Sequence, residues 1–154
     1  MAHSLDSLDH KIVRTFQEQP EISIADLADA IGLSQTPTWR RVKRLRSEGI
    51  FLKKAMIFDA KKLGFPINVL ASVRLHRHDE ETLEALERAA SEQAQILECF
   101  SMSGESDYVI RIVAKGIEDY EQFLKKVILH LPGVASVSSS FTLKTIKSTT
   151  NLPV

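Results

Sequence analysis

Five of the twenty Lys and Arg side chains fall within seven positions, as Arg40, Arg41, Lys43, Arg44 and Arg46. Cations at that density neutralise phosphates, and the residues just ahead of them, Ser34, Gln35 and Thr36, carry hydroxyl and amide groups that bond base edges or phosphate oxygens. The 154-residue chain has no net charge, so this charge is placed rather than spread. Residues 34–64 hold nine bases against Glu48 and Asp59, a balance of +7, whereas residues 5–33 sum to −4 and residues 65–154 to −3. A polyanion would be drawn to one stripe only. The plain alternative is a basic helix face that serves solubility.

Two further groups could do chemistry. In Ser103-Gly104-Glu105-Ser106-Asp107 the glycine permits a positive φ and the aspartate can accept backbone N–H groups, which makes at least a hairpin turn. Ser136, Ser138 and Ser140 alternate with Val137 and Ser139, so a strand would carry them on one face with Thr142. That strip reads as an exposed sheet face or as the polar side of a dimer contact. Other residues point away from catalysis. His76 and His78 have no third ligand at a credible spacing, so no metal site is expected. Glu80, Glu81, Glu84 and Glu87 read as a solvated helix face, and no nucleophile elbow, phosphate loop or dinucleotide-binding glycine pattern is present. No catalytic residue and no cofactor is assigned, and the protein is expected not to be an enzyme. Cys99 is the single cysteine and reads as a small strand residue; it excludes an internal disulfide.

The elements needed to position these groups follow from periodicity. Leu5, Leu8, Ile12 and Phe16 recur at helical spacing behind Asp6, with Asp9 three residues on, and predict a helix over about 6–19. Ser23 to Asp26 has capping-box spacing, Leu27, Ala28 and Ile31 give one apolar face, and Gly32 supplies a C-terminal stop. Ser34 then caps a third helix whose inward stripe is Thr38, Val42 and Leu45. Thr36, Arg40 and Lys43 lie opposite at 100° per residue, and Trp39 and Arg44 flank them. Trp39 fits the core edge or a sugar-phosphate wall. Short helix, tight turn and basic helix is how a helix-turn-helix presents a recognition helix. Ile50 to Asp59 reads as a wing or linker strand. Beyond Lys61 to Pro66 the pattern becomes strand 68–76, helix 79–93, strand 96–103, strand 108–114, helix 118–131 and strand 134–146, the βαββαβ order of a ferredoxin-like module. The expected division is residues 1–50 for the helix-turn-helix, 51–65 for the wing or linker and 66–154 for the βαββαβ part. The fold class is α+β. No apolar run reaches the roughly 18 residues of a membrane span and no signal segment is evident, so a cytoplasmic protein without membrane partners is expected.

These residues resemble the Lrp/AsnC, or feast/famine, family of transcription regulators over nearly the whole chain. The resemblance rests on Leu8-Asp9-x-Lys11-Ile12, Leu27-Ala28, Leu33-Ser34, Arg40-Arg41-Val42-Lys43-Arg44-Leu45 and Glu48-Gly49-Ile50. In the second half it rests on Ser103 to Tyr108 with its Gly-x-x-Asp loop, on Leu131-Pro132-Gly133-Val134, and on the tail from Leu143 to Pro153. It implies a winged helix-turn-helix for double-stranded DNA, a hinge, and an amino-acid-sensing module of the RAM or ACT-like kind. That module would pair chains into homodimers that assemble to tetramers or octamers. By resemblance, Ser34, Gln35, Thr36, Trp39, Arg40, Arg41, Lys43 and Arg44 serve DNA, with Arg41 nearer the inward stripe and suited also to pairs within the protein. Ser101, Ser103, Gly104, Glu105, Asp107, Ser136, Ser138 and Ser140 serve a small effector. Amides of Ser103, Gly104 and Glu105 would face its carboxylate, while Asp107 would face its ammonium group or brace the loop. Two other classes compete: a sensing subunit that docks on an enzyme, and an architectural DNA binder without a ligand.

Overall fold

Two of the three helices in the first third begin on a side-chain cap. The structure, a computed structural model, describes residues 5–154. Helix α1 (Ser7–Glu18) starts at Asp6, whose carboxylate accepts the N–H groups of Leu8 and Asp9 at 2.9 Å each. The Asp9 carboxylate accepts the Asp6 N–H at 3.1 Å in return, completing the expected capping box. Ser23 accepts the Asp26 N–H at 3.1 Å and opens α2 (Ile24–Ile31), which ends at Gly32 with φ of 74°. Helix α3 (Gln35–Ser47) begins after Ser34, which occupies the cap position with extended backbone. Contrary to expectation, the Ser34 hydroxyl makes no cap bond. Ile12, Leu27, Ile31, Val42 and Leu45 close the core of this helical unit. Burying each such side chain contributes about 1.5–3 kcal/mol, enough for three short helices to fold against one another. The expected inward stripe Thr38, Val42 and Leu45 is buried.

The strand expected within Ile50–Asp59 does not form: residues 51–59 carry no regular structure. A strand needs a hydrogen-bonding neighbour, and among the described residues this segment pairs with none. Leu52, Met56 and Ile57 are correspondingly exposed. The chain divides into two units, the residues up to Ile57 with Lys147–Val154, and Phe58–Ile146. In the first, the final residues lie on α1: Gln17 accepts the Leu152 N–H at 2.5 Å and donates to its carbonyl at 3.1 Å, and Arg14 donates to the Val154 carbonyl at 3.0 Å.

The second unit contains β1 (Ile67–Leu75), α4 (Glu80–Ser91), β2 (Ile96–Ser101), β3 (Tyr108–Ala114), α5 (Ile117–Lys126), a 3₁₀ turn Ile128–His130 and β4 (Val134–Phe141). The strands form one antiparallel sheet in the order β2-β3-β1-β4, the expected βαββαβ plan. Val69, Ala71, Val73, Ile110 and Ile112 point to one face and pack with Leu86 of α4 and Tyr120 and Phe123 of α5. The pairing of Leu70 with Ser140, Ser72 with Ser138 and Arg74 with Ser136 puts these residues together on the other face. Gly133, φ 74°, lets the chain turn into β4 where a β-carbon would run into Cγ2 of Thr82. Among the described residues no helix is long and apolar enough to cross a membrane.

Candidate nucleic-acid interface and sensing loop

Helix α3 divides its cations by what lies beneath them. Asp9 is fully buried, although it is a carboxylate. Arg41 reaches it from α3 with Nη1 at 2.8 Å and also holds Asp6 at 2.7 Å; Arg44 Nη2 lies 2.5 Å from Asp9. A buried charge persists only when paired and fully bonded, and these two guanidinium groups with the Asp6 N–H supply that pairing. Asp6 is held below the usual carboxylate range, chiefly by the Asp9 N–H and next by Arg41. Asp9 thus locks the start of α1 to α3, a role the sequence hides because an exposed capping box is spelled identically.

Arg40 and Arg46 are exposed and have no carboxylate partner among the described residues. Lys43 is exposed too, with its ammonium 5.0 Å from the Trp39 ring centre, a cation–π contact. Trp39 itself is 51% exposed, so about half of it stands in solvent beside Lys43 while the rest lines a recess with Ile24 and Val42. Ser34, Gln35 and Thr36 are exposed at the N-terminal end of α3, where unpaired backbone N–H groups carry partial positive charge. The Ser34 carbonyl accepts the Thr38 hydroxyl at 2.9 Å, which turns that buried polar group inward and satisfies it. Lys54 pairs with Glu21, and Lys53 adds a further cation to this unit.

In the sheet unit, Ser103 to Asp107 connects β2 to β3, with Ser101 opposite Tyr108 at its base. Gly104 has φ of 131°, a conformation that favours glycine. Asp107 is the centre of the loop. Its N–H donates to the Val73 carbonyl at 2.9 Å and its carbonyl accepts the Met102 N–H at 2.9 Å. Its Oδ2 accepts the Leu75 N–H at 2.7 Å, and its Oδ1 lies 2.8 Å from Nε2 of His78. The Leu75 N–H first, and His78 next, hold this carboxyl below its ordinary range. Of the two roles open to Asp107, bracing the loop is the one these four contacts perform. Glu105 is nearly fully exposed, 3.6 Å from Arg74. The N–H groups of Ser103, Gly104, Glu105 and Ser106 find no acceptor among the described residues, and the first three of these residues are exposed.

The serine strip divides along β4. Ser136, Ser138 and Ser140 are all exposed on the sheet face away from the helices. Ser136 stands opposite Arg74, at the end of β1 that carries the loop contacts; Ser140, opposite Leu70, is four residues farther along. Ser139 turns to the helix side and meets the Tyr120 hydroxyl at 2.5 Å. Glu87, read as part of a solvated acidic face, accepts the Tyr108 hydroxyl at 2.7 Å. Burial and that carboxylate push the phenol up to about 12, so Tyr108 remains a donor. Cys99 lies exposed on β2. Among the described residues no three His, Cys, Asp or Glu side chains converge as a metal group.

The family models agree with this division. Residues 5–46 match the AsnC-type helix-turn-helix domain and residues 68–152 the Lrp/AsnC ligand binding domain. The Bkd operon transcriptional regulator of Pseudomonas aeruginosa is 36% identical over 142 residues, 92% of this chain and 93% of that protein. The DNA-binding transcriptional activator DecR of Escherichia coli is 32% identical over 150 residues, covering 97% and 99%. An AsnC family transcriptional regulator from Agrobacterium tumefaciens superposes with a TM-score of 0.90 at 36% identity, covering 97% of each chain. A transcriptional regulator from Neisseria meningitidis, solved as an L-Met complex, gives 0.90 at 29% identity with the same coverage. With both halves matched in order and full-length relatives on either side, the chain belongs to the Lrp/AsnC family of DNA-binding transcriptional regulators.

Proposed function

We propose that this chain is an effector-responsive regulator in which α3 enters the major groove of double-stranded DNA and the Ser103–Asp107 loop holds a free amino acid. The observation that carries the DNA half is the split among the cations: Arg41 and Arg44 are anchored on Asp9, while Arg40, Lys43 and Arg46 project without acidic partners. The anchored pair fixes the helix; the free set neutralises phosphates, with Gln35 and Thr36 directed at base edges and the uncommitted Ser34 hydroxyl at a phosphate. Trp39 supports Lys43 beside the sugar-phosphate wall. Arg41 and Arg44 keep unused guanidinium N–H groups for a second, outward contact.

Four consecutive free amides in the loop support the sensing half, and the Neisseria relative carrying L-Met supports an amino acid as the ligand class. The carboxylate takes the amides of Ser103, Gly104 and Glu105, and Ser101 and Ser136 border the same end of the sheet. Ser138 and Ser140 lie farther along β4 and complete the site only from a neighbouring subunit, which fits homodimers assembling into tetramers or octamers. The effector shifts DNA affinity by binding one assembly better than another. The test is the salt dependence of binding to the upstream DNA of the protein's own gene. Arg40→Ala should lower the slope by about 0.9. Absence of binding, or an unchanged slope, overturns the DNA half; absence of stabilisation by any amino acid in a thermal-shift panel overturns the sensing half.

A further inference from the structure

The corner where β1 leaves the sheet gathers more contacts than a strand end requires. The Leu75 N–H serves Asp107, the His76 N–H donates to the Gly133 carbonyl at 2.8 Å, and His78 meets Asp107 before Asp79 caps α4 by accepting the Thr82 N–H at 3.0 Å. Three of the four ties on Asp107 are made by backbone groups. The fourth is made by the His78 side chain, and it takes the oxygen the backbone leaves over. His78 is 62% exposed and Asp107 29%, so the pair sits at the rim of the loop, beside the free amides.

We propose that His78 is a positioning residue of the sensing loop, its Nε2–H donating to Oδ1 of Asp107 and so fixing the amides of Ser103 to Ser106 for a ligand carboxylate. The inference rests on the reading of that loop as the effector site. A carboxylate only accepts, so Nε2 carries a proton whether the ring is neutral or charged, and the bond survives both states. Protonation at Nδ1 adds charge assistance. Exposure screens the pair, so the expected effect is several-fold rather than hundreds-fold.

The test uses the full chain and three forms, wild type, His78→Ala and His78→Gln, whose amide nitrogen can replace Nε2 without its charge. Amide hydrogen exchange is read at Leu75, Met102 and Asp107, the donors that report on the staple. His78→Ala should lose about fivefold protection at these sites and His78→Gln should regain most of it. Binding of each standard amino acid is then measured by calorimetry, with His78→Ala weakening the one that binds by about fivefold. Unchanged protection in His78→Ala would overturn the positioning role. Lost protection with unchanged affinity, or with no amino acid binding the wild type, would leave His78 holding the loop and overturn the effector reading instead.

Discussion

Replacing Asp9 by Asn tests the central electrostatic claim about the helical unit. The native carboxylate is fully buried and receives two guanidinium groups, at 2.8 and 2.5 Å, and one backbone N–H at 3.1 Å. A hydrogen bond to a charged group has a net worth of about 1.5–3 kcal/mol. The Arg41 and Arg44 side chains are 26% and 44% exposed, which places both bonds at the low end of that range. Two such bonds give about 3 kcal/mol. Removing one partner of a fully buried pair costs about 3–5 kcal/mol because the other charge is stranded, but these guanidinium groups turn to water and avoid most of that penalty. Asparagine keeps the shape, retains one acceptor oxygen, and opposes an N–H₂ donor to a guanidinium donor. The expected loss is about 2–3 kcal/mol, a large share of the 5–15 kcal/mol that holds a typical domain together.

The single tryptophan makes the assay specific. Trp39 lies on α3, so its fluorescence during urea unfolding reports the helical unit while the sheet unit is silent. The variant should unfold at lower urea with an unchanged slope, and a loss under about 0.5 kcal/mol would refute the account of Asp9 as a buried, fully paired charge. DNA binding adds a second reading. If the two arginines act only within the protein, freeing them adds phosphate contacts and steepens the salt slope by up to about 2; if they already touch phosphates, the slope stays put.

Three further outcomes follow from particular contacts. Ser34→Ala should leave the urea midpoint of the helical unit within about 0.5 kcal/mol of wild type, well short of the roughly 1 kcal/mol of a working cap, while weakening DNA affinity. Gly133→Ala should destabilise the sheet unit by about 1–3 kcal/mol in calorimetry, because φ of 74° strains any side chain and the new methyl meets Thr82. In acid, Asp6, Asp79, Asp107 and Glu121 all have carboxyls lowered by native contacts. Lowered native values mean that the unfolded chain takes up protons first, so their contribution is complete above the ordinary carboxylate range and disappears as pH falls through the native values. Thermal unfolding should therefore show no loss from these groups between pH 7 and 5 and a steep loss below about pH 4. Stability that rises on acidification through that range would contradict the assignment.

What the sequence discloses is set by the range of each interaction. Asp6 and Ser23 are legible as caps because cap and capped amide lie within three residues, and Thr38, Val42 and Leu45 as an inward stripe because helical period is local. Asp9 was legible as the other half of a capping box but not as a buried ion, since its partners stand 32 and 35 residues away. His78 was weighed only as a metal ligand; its contact with Asp107 depends on the β1–β3 register that sets Val73 against Tyr108. Ser34 shows the reverse failure: its residue type predicts a capping hydroxyl, while the hydroxyl of this chain is left uncommitted. The Ile50–Asp59 segment fails for a third reason, because strand formation is a property of a pair and the pattern of one partner cannot supply the other.

The two arginines on Asp9 also change what the basic run means. A helix carrying five free cations would bind any polyanion in many registers, because long flexible side chains find phosphates from almost any placement. Anchoring Arg41 and Arg44 on a buried carboxylate withdraws part of that indiscriminate charge and spends it on fixing the helix axis against α1. Ordering entropy is then settled in the folded protein rather than at the moment of contact, which favours the one register in which Gln35 and Thr36 meet base edges. On the proposed reading, in which Gln35 and Thr36 face base edges, Asp9→Asn should raise affinity for random DNA at low salt while narrowing the gap between specific and random sequences. A variant that binds both more weakly by the same factor would show instead that Asp9 matters only for folding.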